Sequence, residues 1–258
     1  MRITLIGSGN VATHLGAALK NAGHQIVQVW SRNLQNAALL AYHVKAEPID
    51  RLDAIHADTD LIIISVKDDA VEDVASFINI KNVLVVHTSG AVSMQTLEKH
   101  FIDCGVFYPL QTFSKSQEID FRSVPLCIES TDKNSTEILF ELGRTISNQV
   151  TYIDSAQRKT LHLAAVFACN FPNYLYSIAT KLLQEQQMDF SLIKPLILET
   201  ALKVQEFLPE EVQTGPAIRG DEQTMAAHLS LLEQNPELQE IYRMLSQDII
   251  KMAKSRSA

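Results

Sequence analysis

The chain has 258 residues, 46% hydrophobic and 20% charged, with a formal net charge of −8. That composition suits a globular protein of one or two domains with a sizeable core, and an acidic balance without a basic run argues against nucleic acid or an anionic membrane as partner. No apolar stretch reaches transmembrane length, so a cytoplasmic protein is expected.

Ile3-Thr4-Leu5-Ile6 reads as a strand and Val11 to Asn21 as a helix. Between them runs Gly7-Ser8-Gly9-Asn10-Val11-Ala12, a G-x-G-x-x-A turn and hence a dinucleotide-binding fingerprint. Gly7 can take the backbone angles of the turn, and Gly9 lets a pyrophosphate approach the backbone. Ala12 lets helix and strand pack closely, and the helix N-terminus offers free N–H groups to phosphates. Gly7, Ser8, Gly9, Asn10 and Val11 are therefore cofactor candidates. A turn kept for packing alone, or the similar turn of a methyltransferase, are the competing explanations.

Further strands are expected at 25–30, 61–66 and 83–88, with a short one near 44–46. Helices are expected over 36–43, 70–78 and 94–101. The continuous apolar runs suit a parallel sheet covered on both faces. A strand at 105–108 and two more at 125–129 and 149–153, flanking a helix over 134–147, complete an alternating α/β pattern. Beyond residue 153 strand signals stop. Helices are expected over 155–186, divided or kinked at Pro172, and over 192–207, 225–234 and 236–255. The boundary falls near Asp154, giving residues 1–153 as a doubly wound nucleotide-binding domain and 154–258 as an all-helical one.

The second strand ends Trp30-Ser31-Arg32-Asn33, with no acid for a ribose 2′-hydroxyl. Ser31 and Arg32 suit a 2′-phosphate instead, which favours NADP(H) over NAD(H). Val66-Lys67 and His87-Thr88-Ser89-Gly90 follow the next buried strands and reach the same cleft. Ser89 is a cofactor candidate and Gly90 a substrate candidate, while His87, inside its strand, reads as a core histidine. Cys104, Cys127 and Cys169 make neither a disulfide framework nor a zinc pattern, so no metal is expected. Cys169, in an apolar helix, reads as a buried small hydrophobe.

Five motifs span nearly the whole chain: GSGNVATHL at 7–15, HTSGA at 87–91, YPLQTFS at 108–114, HLAAVFACNFPNYL at 162–175 and TGPAIRGDEQTMAAHL at 214–229. On these the chain resembles the 6-phosphogluconate dehydrogenase C-terminal-like superfamily, which includes pyrroline-5-carboxylate reductase and prephenate dehydrogenase. More closely, it resembles the Rossmann-like plus DUF2520 group of NADP or deazaflavin-dependent oxidoreductases. The resemblance implies a Rossmann domain followed by a helical domain, NADP as cofactor, and a homodimer built through the helical half. Related dehydrogenases use a Lys or His and an Asn on the first helix of the second domain, which points to His162 and Asn170 as catalytic candidates. Lys159 reads better as a solvated first-turn residue. At about 100° per residue, 162, 166, 169 and 173 share a face, with Asn170 at its edge, and Asn173 is a substrate candidate.

Tyr108-Pro109-Leu110 resembles the His-Pro-Met turn of prephenate dehydrogenases with Tyr for His, which argues against prephenate itself. Tyr108 and Gln111 can line the substrate side. In the glycine-rich loop 214–221, Arg219 is the candidate anion partner, and Asp221 reads as a helix N-cap. The expected function is reduction of a C=O or C=N bond of a small, acidic metabolite by NADPH. A nucleotide-binding regulator without catalysis, and a deazaflavin-dependent NADP oxidoreductase, remain the alternatives.

Overall fold

The computed structural model describes residues 1–256; residues 257 and 258, at the end of the second expected domain, lie outside the described residues. Strands and helices alternate through the first part: β1 (Arg2–Ile6), α1 (Asn10–Asn21), β2 (Gln25–Trp30), α2 (Leu34–Val44), β3 (Glu47–Ile49), β4 (Leu61–Ile64), α3 (Val71–Phe77), β5 (Leu84–His87) and α4 (Gln95–Glu98). Then come β6 (Cys104–Pro109), β7 (Leu126–Ser130), α5 (Lys133–Ile146) and β8 (Val150–Tyr152). The short strand expected near 44–46 starts at Glu47 because Val44 still belongs to α2. Lys45 then takes a left-handed φ of 59° and ends that helix.

The strands form one eight-stranded sheet in the order β3-β2-β1-β4-β5-β6-β7-β8. All neighbours are parallel except β6 and β7. This is an α/β fold of the doubly wound kind. Ile3, Leu5, Val29, Ile63, Val86 and Phe107 point to one face, where the apolar sides of α1, α2 and α5 cover them. Ile6, Ile62, Ile64 and Val85 point to the other, against α3 and α4. Two polar side chains inside the sheet, Thr4 and Gln28, are paired: Thr4 Oγ1 lies 3.0 Å from Thr59 Oγ1, and the Gln28 amide donates to the Ala54 carbonyl and accepts from the His56 N–H.

After β8 the chain is helical: α6 (Ser155–Ala165), a π-helical turn (Val166–Asn170), α7 (Phe171–Glu185), α8 (Lys194–Glu206), α9 (Pro216–Arg219), α10 (Glu222–Leu231) and α11 (Pro236–Arg256). Pro172 does not divide the helix. It is the second residue of α7, and the wide π turn just before it accommodates the missing N–H and the crowding of the preceding turn. The helical stretch starts at Ser155, but the two compact units divide later, between Tyr174 and Leu175. The reason is local. Asp154 caps α6 in a capping box with Gln157, and the wholly buried Arg158 ties α6 to the sheet.

Candidate functional site

The strand order reverses between β1 and β4, so the carboxyl ends of these strands open a crevice. Gly7 sits there with φ of 122°, its N–H donating to the Trp30 carbonyl at 2.8 Å. A Cβ at Gly7 would collide with the Ser65 carbonyl oxygen at the end of β4, so no side chain fits. At Gly9 a Cβ would meet nothing within 4 Å. The glycine there is not needed for packing; it leaves a bare cradle at the N-terminus of α1. Gly9 is the N-cap, no side chain caps the helix, and the first turn holds no acid. The free N–H groups and the positive end of the helix dipole face that cradle. Asn10 spends its side-chain amide on the Phe113 carbonyl at 2.9 Å.

Beside the cradle lies a cleft of about 290 Å³, lined by Trp30, Arg32, Leu52, Val66, Lys67 and Phe77 among others. Arg32 is exposed there with no ion-pair partner among the described residues, and Ser31 is held by its N–H bond to the Ile49 carbonyl. Asn33 caps α2 by accepting from the Gln35 N–H. The walls are mostly apolar, and Arg32 and Lys67 outnumber the one acid of the lining, Asp73, a combination that suits an adenine ring carrying a phosphorylated ribose.

At the ends of β5 and β6 the structure brings together Ser89, Gly90, Tyr108 and His162. The Tyr108 hydroxyl lies 3.1 Å from His162 Nδ1. A Cβ at Gly90 would lie 2.6 Å from His162 Nδ1 and 2.9 Å from Tyr108 Cζ, so this glycine is what lets the two side chains meet. Ser89 Oγ accepts from the Ala91 and Val92 N–H groups and fixes the turn. Burial pushes the Tyr108 phenol up to about 12, so it stays protonated.

Two residues that the sequence reading missed hold this pair. Arg158, one helical turn before His162, forms a buried ion pair with Glu129 of β7 and donates to the Val92 carbonyl at 2.6 Å. Glu129 also accepts from the Ser155 N–H and hydroxyl. This network pins the start of α6 against β7 and the Gly90 turn. The signal in the sequence was a glutamate inside an apolar strand, which must find a partner. His87 is wholly buried, as expected of a core histidine, but only half satisfied: Nδ1 accepts from the Ser89 N–H, while Nε2 has no hydrogen-bond partner among the described residues. Desolvation, with help from the Arg158 charge, lowers its pKa to about 3.

Asn170 and Asn173 are exposed, and so is Cys169, against the expectation of burial. The π turn also changes which residues share a face. An i→i+5 turn holds about one residue more than an α turn and rotates the residues beyond it by roughly 100°. Asn170, two α turns and about one residue beyond His162, comes round to the His162 side, and Asn173 rotates away. Gln111 is exposed, and its side-chain oxygen accepts from the Thr112 N–H at 2.8 Å. In the second unit Arg219 ends α9 and is exposed, and Asp221 caps α10 through Thr224, whose hydrogen bonds hold the carboxyl below its ordinary range. Among the described residues no cluster could hold a metal ion, and no helix is long and apolar enough to cross a membrane.

Residues 2–90 match the family model described as NADP oxidoreductase coenzyme F420-dependent, and residues 124–249 match the domain of unknown function DUF2520. A Bacteroides fragilis structure, described as a candidate NADP oxidoreductase, is 43% identical, with 97% of this chain and 98% of that one covered and a TM-score of 0.92. The chain belongs to this family of NADP oxidoreductases. Protein TM1727 of Thermotoga maritima shares the fold at 23% identity, TM-score 0.75, over 99% of this chain and 100% of that one. So does an imine reductase from Myxococcus stipitatus in complex with NADP+, at 16% identity, TM-score 0.67, over 99% and 93%. No curated protein matches. For an NADP oxidoreductase of this family, the bare cradle at Gly9 and the cationic side chain of Arg32 are what the cofactor requires, and the residues fit it.

Proposed function

We propose that the protein is an NADPH-dependent reductase of a C=N or C=O bond in a small, acidic metabolite, with His162 as the proton donor. The observation that carries this is the Tyr108–His162 hydrogen bond at the end of β6, made possible by Gly90. Residues 1–153 would form the NADP-binding domain and 154–258 the helical substrate and dimerisation domain. Gly7, Ser8, Gly9 and the N–H groups of Asn10 and Val11 would hold the pyrophosphate. Ser31 and Arg32 would hold the 2′-phosphate, and Val66, Lys67 and Ser89 would line the remainder. The bound cofactor supplies the hydride.

His162 delivers the matching proton to the substrate nitrogen or oxygen. The Tyr108 hydroxyl can donate to Nδ1 of the neutral ring and accept from Nδ1–H of the imidazolium. It therefore holds the ring in one orientation through both states, with Nε2 free for the substrate. Asn170, on the same side of the helix, orients the substrate. Gly90, Gln111, Asn173 and Arg219 are further substrate contacts, Arg219 for a carboxylate. The imine reductase and pyrroline-5-carboxylate reductase neighbours reduce C=N bonds by name, which favours an imine over a carbonyl. Support for a second copy comes from α7 and α8, in which no residue is buried within the single chain.

The test is NADPH oxidation against a panel of cyclic imino acids and 2-oxo acids, with wild type, His162→Ala and Tyr108→Phe. Turnover of an imino acid, lowered about 10²–10⁴-fold by His162→Ala and less by Tyr108→Phe, is the expected result. Turnover that survives His162→Ala overturns the role of His162. Hydride exchange only between NADP and a reduced deazaflavin would favour the alternative that the N-terminal family description names.

A further inference from the structure

β6 and β7 are antiparallel neighbours, and a short turn would suffice to join them. The chain instead spends residues 110–125 on the connection, a length that in compact domains usually signals function. The segment leaves the sheet edge and lies across the first turns of α1. Asn10 Nδ2 donates to the Phe113 carbonyl, and His14 Nε2 donates to the Ser114 carbonyl, each at 2.9 Å. Phe113 and Ile119 pack on the core, and the Phe113 ring stacks on Phe121. These contacts deliver Lys115 to the glycine-rich turn, where its ammonium donates to the Ser8 carbonyl at 2.9 Å.

Ser8 immediately precedes the bare cradle at Gly9. An ammonium has three donors, and Lys115 uses one here and makes no ion pair among the described residues. The chain as a whole is acidic, with a net charge of −8, so a cation held against the phosphate turn is not an accident of a basic surface. No other lysine or arginine side chain hydrogen-bonds the glycine-rich turn among the described residues. We propose that Lys115 is a pyrophosphate-binding residue and that segment 110–125 is a strap belonging to the cofactor site. This rests on the NADP-dependent function proposed for the protein and adds to it a residue outside the fingerprint.

The test is fluorescence titration of wild type, Lys115→Gln and Lys115→Arg with NADPH and with NADH at several salt concentrations. Displacement of NADPH by adenosine 2′-monophosphate, which has no pyrophosphate, is the control. Lys115→Gln is expected to weaken NADPH and NADH by the same factor, about tenfold, as for loss of one charged hydrogen bond. Its salt dependence should be shallower, Lys115→Arg should recover most of the affinity, and the monophosphate should bind unchanged. If wild type binds and Lys115→Gln binds equally well, the strap has no part in the cofactor site. If the variant weakens only NADPH, or the monophosphate as well, Lys115 does not act on the pyrophosphate. If wild type binds neither dinucleotide, the NADP-dependent function itself fails.

Discussion

His87 sits inside β5 with its ring wholly buried, and its pKa of about 3 lies far below the 6.5 of an exposed histidine. The folded state keeps the ring neutral, while the unfolded chain takes up a proton as pH falls through 6.5. Stability is therefore fully present above pH 6.5 and declines as pH drops towards 3. At ~1.4 kcal/mol per pH unit the loss is about 2 kcal/mol by pH 5. Thermal melts from pH 7.5 to 5 should show that fall in wild type and a flatter profile in His87→Gln. Equal profiles would show that His87 does not set the acid limb. At this scale the sequence marks the residues that break a pattern. A histidine on an apolar helix, a glycine after a buried strand and a tyrosine before a proline stand out, and the structure brings His162, Gly90 and Tyr108 together. Nothing in a separation of 54 positions announces the Tyr108–His162 bond. Arg158 and Lys115 stayed hidden because basic residues near a helix start or in a loop are usually solvated. Only the three-dimensional packing shows that one is buried and the other lies on the glycine-rich turn.

The glycine-rich turn and α1 divide structure from function between two glycines. Gly7 is required by its positive φ and by the Ser65 carbonyl, whereas a Cβ at Gly9 would meet nothing within 4 Å and its φ is an ordinary −76°. Gly7→Ala should lower the melting temperature by several degrees, the effect of ~1–3 kcal/mol of strain. Gly9→Val should leave it nearly unchanged yet abolish NADPH binding, read by melting and titration of both variants. A Gly9→Val protein that still binds NADPH would mean the cradle does not receive the pyrophosphate. Element identity was legible because buried parallel strands read as unbroken apolar runs and helices as periodic ones. Edges were less so: Lys45 ends α2 with a left-handed residue that composition does not foretell. The π turn at 166–170 was invisible to a periodicity that assumes a constant 100° per residue, and it decides that Asn170, not Asn173, shares the side of His162.

Across the whole molecule, apolar side chains are left uncovered in the helical half. Phe167, Leu192, Leu196 and Leu208 are all more than 60% exposed. Helices that bury nothing are marginal in water, so a second copy covering them is the economical explanation. Light scattering after size exclusion should give about twice the 28.8 kDa of one chain, and Leu196→Glu should shift it towards the monomer. A monomeric wild type would require another cover for these faces. The exposure of Cys169 belongs to the same feature, since a helix expected to be core lies at the surface of the isolated chain. The alternation of strands and helices, the change to all-helix after residue 153 and NADP as the cofactor were legible in sequence, because each rests on local residue chemistry. What stayed hidden at this scale is how deeply Arg158 anchors α6, which its complete burial shows.

The most direct test is a fluorescence titration with NADPH and NADH on wild type and Arg32→Ala. The expected result is tighter binding of NADPH than of NADH by wild type. Arg32→Ala should then lose about tenfold or more for NADPH while NADH is unaffected, because only NADPH carries the 2′-phosphate. Equal binding of both dinucleotides by wild type, or a preference that survives Arg32→Ala, would contradict the assignment of Arg32. Binding of neither would contradict the reductase function.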